Sequence, residues 1–320
     1  MKTATKIWLI TAAALVLIGC ILFVGVMATR EWNFTKLSTV RCETNTYEIT
    51  EVFHDISLQT DTAAIVFALS SDGKCRVECY EEENAKHTVT VREDTLVIQA
   101  CDTRHWYDYI GFQFDSPQIT VYLPKTAYDA LTIRESTGNV EIPKDFTFVN
   151  ADISLTTGTV AFCASVTETG KIKTSTGDIR VEKTSAGALD LSVTTGAVTV
   201  SDVTCRDDIT VGVSTGNASL RDVACQNVHS NGTTGTITLD RVIAANMFSI
   251  ERTTGNVKFS GCDAAELSVK TSTGHVSGSL LTDKVFITDT ATGRVNVPKT
   301  ATGGQCIIKT GTGDIDIKIG

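Results

Sequence analysis

From Ser136 onward the apolar and polar positions repeat every nineteen or twenty residues, and each repeat is marked by a Thr-Gly step. The ten glycines are Gly138, Gly158, Gly177, Gly196, Gly216, Gly235, Gly255, Gly274, Gly293 and Gly313. Two residues beyond them stand Val140, Val160, Ile179, Val198, Ala218, Ile237, Val257, Val276, Val295 and Ile315. Four residues beyond, the position is again apolar in every copy except Gly278. The residues between are mostly polar or small, such as Glu141, Arg180, Thr199, Lys258 and Asp316. Alternation with period two predicts a half-buried strand. Pairs such as Leu131 and Ile133, Leu189 and Leu191, and Phe248 and Ile250, seven and five residues ahead of the glycine, predict a second strand. Each repeat therefore reads as strand, loop, strand and a tight Ser/Thr-Thr-Gly turn, where glycine supplies backbone freedom that β-branched neighbours lack.

No single repeat can bury its own apolar face, so a period this regular predicts stacked coils, each covering its neighbours. The expected fold is all-β: a β-solenoid of about ten 19–20-residue coils, on the order of 45 to 50 Å long at ordinary strand spacing. A one-residue slip would turn every inward Val and Ile to solvent, which pins the register. The threonine before each glycine, from Thr137 to Thr312, is placed to form a ladder along one edge. Turn chemistry and β-propensity account for it; a flat hydroxyl array that orders water is the alternative.

Ahead of the repeats the pattern changes twice, giving three regions: an anchor at 1–30, a strand-rich capping region at 31–125 and the solenoid at 126–320. Ile7 to Met27 is an unbroken apolar run of twenty-one residues, long enough to cross a bilayer as one helix. Leu17-Ile18-Gly19-Cys20 has the look of a lipoprotein cleavage site, but the apolar run continues past Cys20, which favours an uncleaved anchor. Lys2 and Lys6 precede the run and Arg30, Lys36 and Arg41 follow it, so charge does not decide its orientation. A short leading tail and a long β-domain favour a single-pass protein whose C-terminal domain lies outside the cytoplasm.

The capping region lacks the period yet keeps strand signals, among them Ile56-Ser57-Leu58, Thr88-Val89-Thr90-Val91 and Ile119-Thr120-Val121-Tyr122-Leu123. It also holds the aromatic stretch with Trp106, Tyr107 and Tyr109, which serves either as the core of the cap or as a ligand-contact surface. At the other end, Asp314-Ile315-Asp316-Ile317-Lys318-Ile319 is expected to form an open edge strand, softened by its charges.

Catalytic chemistry is not written into this pattern. His54, His87, His105, His229 and His275 are scattered, and no two have metal-ligand spacing. The glycines come one per turn rather than in a phosphate-cradling loop. No cofactor and no metal are expected. An acidic pair for glycan cleavage would have to come from Asp152, Asp190, Asp207 and Asp208, acids that solvation alone explains. Ten cysteines resemble a disulfide framework, but Cys20 lies in the apolar run and nine remain, so at least one is unpaired; they read better as small apolar fillers. A net charge of −9 argues against nucleic acid as a partner.

A membrane helix, then Trp106-Tyr107-Asp108-Tyr109-Ile110-Gly111, then Val121-Tyr122-Leu123-Pro124-Lys125, then tandem Ser/Thr-Thr-Gly coils resembles the bacterial family of putative adhesins with LiaG-like β-strand repeats. The resemblance implies a β-solenoid at the cell envelope with an adhesive role, in some members beside envelope-stress operons. It implies no catalytic or binding residues. The first functional expectation is thus a non-catalytic, membrane-anchored solenoid that binds envelope polymer, glycan or an envelope protein. The second is a scaffold or regulatory part of an envelope-stress system, and the third a polysaccharide-active enzyme.

Overall fold

A computed structural model describes residues 3–32, 41–102 and 116–320. The apolar run forms one helix, Thr3–Thr29, and its segment Thr5–Thr29 is long and apolar enough to cross a membrane. Side chains such as Trp8, Ile10, Leu15 and Ile18 are all more than half exposed; they pack on no protein core.

The rest is β-structure, and the alternation read from the sequence decides which side chains it buries. Strands before and after each glycine pair in parallel with their counterparts one coil away: Val160 lies between Val140 and Ile179, and Ile153 between Ile133 and Ile172. Two stacked ladders result, and the interior between them is a single continuous cluster from Ile56 to Ile317. Long strands such as Ile179–Thr195 and Ala218–Thr234 pass round the corner opposite the glycine turn without breaking. Lys183, Asp202, Asp222, Arg241 and Gly261 stand at that corner with φ between 51° and 57°, so in these five coils one left-handed residue makes the bend. There the two oxygens of Asp222 accept from Arg241 Nε at 2.6 Å and Nη2 at 2.8 Å, tying adjacent coils.

The stack extends beyond the ten Thr-Gly coils. Strands Asp55–Thr62 and Ala64–Leu69 form a coil with Ala63 in the glycine position, paired to the Gly138 coil. Thr95–Asp102 and Gln118–Leu123 form another on its outer side. Antiparallel strands then cover that outer coil: Cys75–Glu82 lies on Gln118–Leu123 with Cys42–Ile49 beyond it, while Ala85–Arg92 lies on Thr95–Asp102. Phe67, Phe146, Phe148 and Tyr128 fill the interior at this end with ring contacts near 6 Å.

The opposite end corrects the expected open C-terminal edge. The last coil in the sequence, Gly304–Thr312 and Ile315–Ile319, does not lie outermost. It is inserted between the Gly274 coil and the Gly293 coil, with Ile315 paired to Val276 on one side and Val295 on the other. The physical reason is composition. Cys306, Ile308, Ile315 and Ile317 are at most 2% exposed, a fully apolar set worth enclosing on both faces. The displaced coil carries Thr288 in an inward column that is apolar in every other Thr-Gly coil but that of Ser230, and it runs into Pro298, which suits an edge. Its Ile287 and Val295 are 47% and 44% exposed. At the N-terminal end the first coil, Asp55–Leu69, likewise lies one layer inside the second.

Candidate functional site

The ordered feature that the register builds on the surface is a rim along the glycine turns. In spatial order Thr62, Thr137, Thr157, Thr176, Thr195, Thr215, Thr234, Thr254, Thr273, Thr312 and Thr292 pair one with the next in unbroken register. All eleven are exposed. The residue before each is Ser or Thr in eight coils, from Ser136 to Ser272, giving a second hydroxyl row beside the first. At ordinary strand spacing the ladder is about 50 Å long.

Within the Thr-Gly coils the layers fit so closely at this rim that only glycine can follow the threonine; the coil of Thr62 carries Ala63 there. A β-carbon on Gly158 would stand 1.7 Å from the Gly138 carbonyl oxygen, and Gly158 has φ of 144°. Behind the rim, Thr174, Thr271 and Thr310 donate their hydroxyls to the carbonyls of Gly158, Gly255 and Gly274. In front, a row of Asx side chains clamps the turns. Asn139, Asp178, Asn217 and Asn256 each accept the backbone N–H of Thr159, Ala197, Thr236 and His275 in the next coil, at 2.8 to 2.9 Å. Asp314 does the same for Arg294 at 2.8 Å. The clamp occupies alternate coils and was missed in the sequence; its signal is Asn or Asp after the glycine at intervals of thirty-nine residues.

The rim opens at one place into a cavity of about 360 Å³ lined by Ser214, Asn231, Gly232, Thr233, Glu251, Arg252, Thr253, Lys270 and Ser272. Arg252 sits in the inward column that Val193 and Val213 occupy elsewhere, and it is 3% exposed. Its Nη2 donates to Ser230 Oγ at 2.9 Å and its Nη1 to the Asn231 carbonyl at 3.2 Å, while Nε has no partner. No carboxylate pairs with it among the described residues, and burial pulls its pKa below the ordinary guanidinium value. Lys270 and Glu251 stand side by side on the wall, and with the hydroxyls of Ser214, Thr233, Thr253 and Ser272 around a guanidinium that has no carboxylate partner, the cavity can hold a polar ligand.

The glycines named from the sequence all lie along this rim. Trp106, Tyr107 and Tyr109 lie outside the described residues. Three of the four acids are engaged by partners of their own. Asp152 holds Arg134 at 2.7 Å, Asp207 holds Arg206 at 3.0 Å, and Asp208 accepts from Asn227 at 2.7 Å; Asp190 sits in register between Lys171 and Thr210. Cys75, Cys79, Cys205, Cys225, Cys262 and Cys306 are buried, and burial pushes the Cys205 and Cys225 thiols up to about 12.

Two parallel ladders closed around one apolar interior, with a glycine turn in each of ten layers, define a β-solenoid of the kind that presents an extended surface. The chain belongs to the Toastrack DUF4097 family, whose profile matches residues 53–207 and 203–320. None of the curated proteins matches it. Among solved structures, a putative adhesin from Bacteroides fragilis is 14% identical with a TM-score of 0.44, over 87% of this chain and 97% of the other. A putative adhesin from Parabacteroides distasonis is 11% identical with a TM-score of 0.43, over 87% and 98%. A putative lipid binding protein from the same species is 12% identical with a TM-score of 0.38, over 86% and 97%. These likenesses are too distant to bear on ligand or role.

Proposed function

We propose that this protein is a membrane-anchored, extracytoplasmic binding protein whose threonine rim adheres to a hydroxyl-rich polymer of the cell envelope or of a facing surface. The observation that carries the reading is the eleven-residue ladder of exposed threonines in continuous register. Each hydroxyl both donates and accepts, so every coil offers the same weak contact to a chain lying along it. Repetition turns weak contacts into useful avidity without any single tight pocket. The cavity at Arg252 and Lys270 adds one charged anchor point, suited to an acidic substituent on such a polymer. The helix Thr5–Thr29 supplies the attachment.

Full-length protein in lipid nanodiscs, passed over immobilised polygalacturonate and over neutral dextran, tests this. Retention on the acidic polymer is expected, weakened by Thr234→Val/Thr254→Val and abolished by adding Lys270→Glu. Equal retention of the parent and the triple variant, or none by the parent on either polymer, overturns the reading. A C-terminal tag lost to protease on intact cells checks the side of the membrane.

A further inference from the structure

Far from the rim, three side chains with metal-binding atoms converge inside the N-terminal cap. Cys79 and Glu81 alternate on the strand Cys75–Glu82 and both point inward. His87 comes from the strand Ala85–Arg92, which pairs into the opposite ladder. The thiol, a carboxylate oxygen and an imidazole nitrogen lie within 4.8 Å of one another. Cys79 is fully buried, and the Glu81 and His87 side chains are 1% and 5% exposed.

The surrounding contacts hold these groups in place. Glu81 Oε2 lies 2.7 Å from His87 Nδ1 and accepts the His87 backbone N–H at 2.7 Å. Glu81 Oε1 accepts from Asn45 Nδ2 at 2.7 Å. The Tyr47 hydroxyl donates to the His87 carbonyl at 3.0 Å, fixing the strand that carries the ring. Outer bonds of this kind orient carboxylate and imidazole ligands in metal sites. The cluster is closed to substrates, so nucleophilic chemistry by Cys79 is not served by it.

We propose that Cys79, Glu81 and His87 form a binding site for a zinc-class divalent cation that staples the two ladders of the cap together. One sulfur, one nitrogen and one oxygen are a donor set that zinc accepts in tetrahedral geometry, with water in the fourth position. The cation takes the place of the hydrogen between Glu81 and His87, the imidazole proton moving from Nδ1 to Nε2, and it displaces the thiol proton of Cys79, which leaves to solvent. Thiolate and carboxylate then balance its two positive charges, as an apolar interior requires. The staple sits where the outermost N-terminal coil meets its covering strands, the place where a stacked fold needs closure.

The full-length chain in detergent, stripped with chelator and titrated with Co²⁺, tests the site. One equivalent is expected to bind with thiolate-to-cobalt absorption and tetrahedral d–d bands, displaced by one equivalent of Zn²⁺. The absorption is expected to persist in Cys101→Ser, which removes an exposed thiol of the same cap, and to vanish in Cys79→Ser. Zn²⁺ is expected to raise the melting temperature of the parent and not that of His87→Gln. An unchanged band in Cys79→Ser, or no thiolate band in the parent, overturns the proposal. X-ray absorption of the zinc-loaded parent needs no variant: one sulfur per zinc at about 2.3 Å is expected, and a shell of only sulfur or only nitrogen and oxygen overturns it.

Discussion

Gly232 leaves the space that Arg252 fills: a β-carbon at position 232 would stand 1.6 Å from Nη1 of the guanidinium. The missing side chain in one coil and the long one in the next are a matched pair within the inward column. Gly232→Ala is therefore expected to force the guanidinium outward, to cost on the order of 1–3 kcal/mol and to weaken retention on an acidic polymer. The Val213 carbonyl lies 2.4 Å from the same β-carbon, so adding Arg252→Ala restores only part of the stability. A double-mutant cycle on denaturant midpoints measures the coupling.

Rim glycines have a stricter role. Gly158→Ala would place a methyl 1.7 Å from the Gly138 carbonyl oxygen at a φ of 144°. Backbone cannot yield as a side chain does, and the loss is expected to exceed about 3 kcal/mol. Because solenoid stability is a sum over neighbours, hydrogen exchange should show protection falling first in the Gly138, Gly158 and Gly177 coils. Uniform loss across the whole stack would contradict nearest-neighbour coupling.

Glu135 supplies a pH signature. It is 4% exposed, Oε1 accepts the Ala63 N–H, and Oε2 has no partner. Burial pushes its pKa up to about 7, against the opposing pull of backbone N–H groups. The folded state then holds a proton that the unfolded state has released. Stability is fully present below the ordinary carboxylate pKa near 4.5 and falls as pH rises toward about 7. The fall attributable to this residue is at most about 3 kcal/mol. Comparing melts of the parent and Glu135→Gln from pH 4 to pH 8 isolates it, and the Gln variant should lose that part of the slope.

Buried charge tests the order of the coils. Val198 and Ile315 are both fully buried, so Val198→Asp and Ile315→Asp should each cost several kcal/mol. Val295, in the coil that would be interior if coils followed the sequence, is 44% exposed. Val295→Asp should cost under about 1 kcal/mol. Chemical denaturation of the three variants ranks them, and a Val295 loss as large as that at Ile315 would mean the last two coils stack in chain order.

Much of this architecture was legible before any coordinates. The positions read as inward from alternation, from Leu131 and Ile133 to Ile315 and Ile317, are buried outside the Gly293 coil, where Val295 is exposed and Val297 only partly covered. The insertion of the final coil was not legible, because local periodicity carries no information on which layer pairs with which; only the polar Thr288 and Pro298 of the Gly293 coil hint at an edge. The alternate-coil clamp is not legible one repeat at a time, because Asn139, Asp178, Asn217 and Asn256 form a series only when the residue after the glycine is compared across every second coil. The Cys79, Glu81 and His87 cluster was hidden for a different reason. Its donors come from two strands on opposite faces of the cap, so spacing between histidines could not reveal it.

The inserted final coil also has a mechanical meaning. A stack that ends on its last-made layer can be peeled from the tip, one rung after another. Here a pull on the Gly320 end acts on a layer gripped from both sides, by the Gly274 coil and by the Gly293 coil. Those hydrogen-bond ladders must give way together, and the outer layer is itself tethered at both of its ends. Traction on this end is thus met by a clasp, the property that the proposed adhesive role requires.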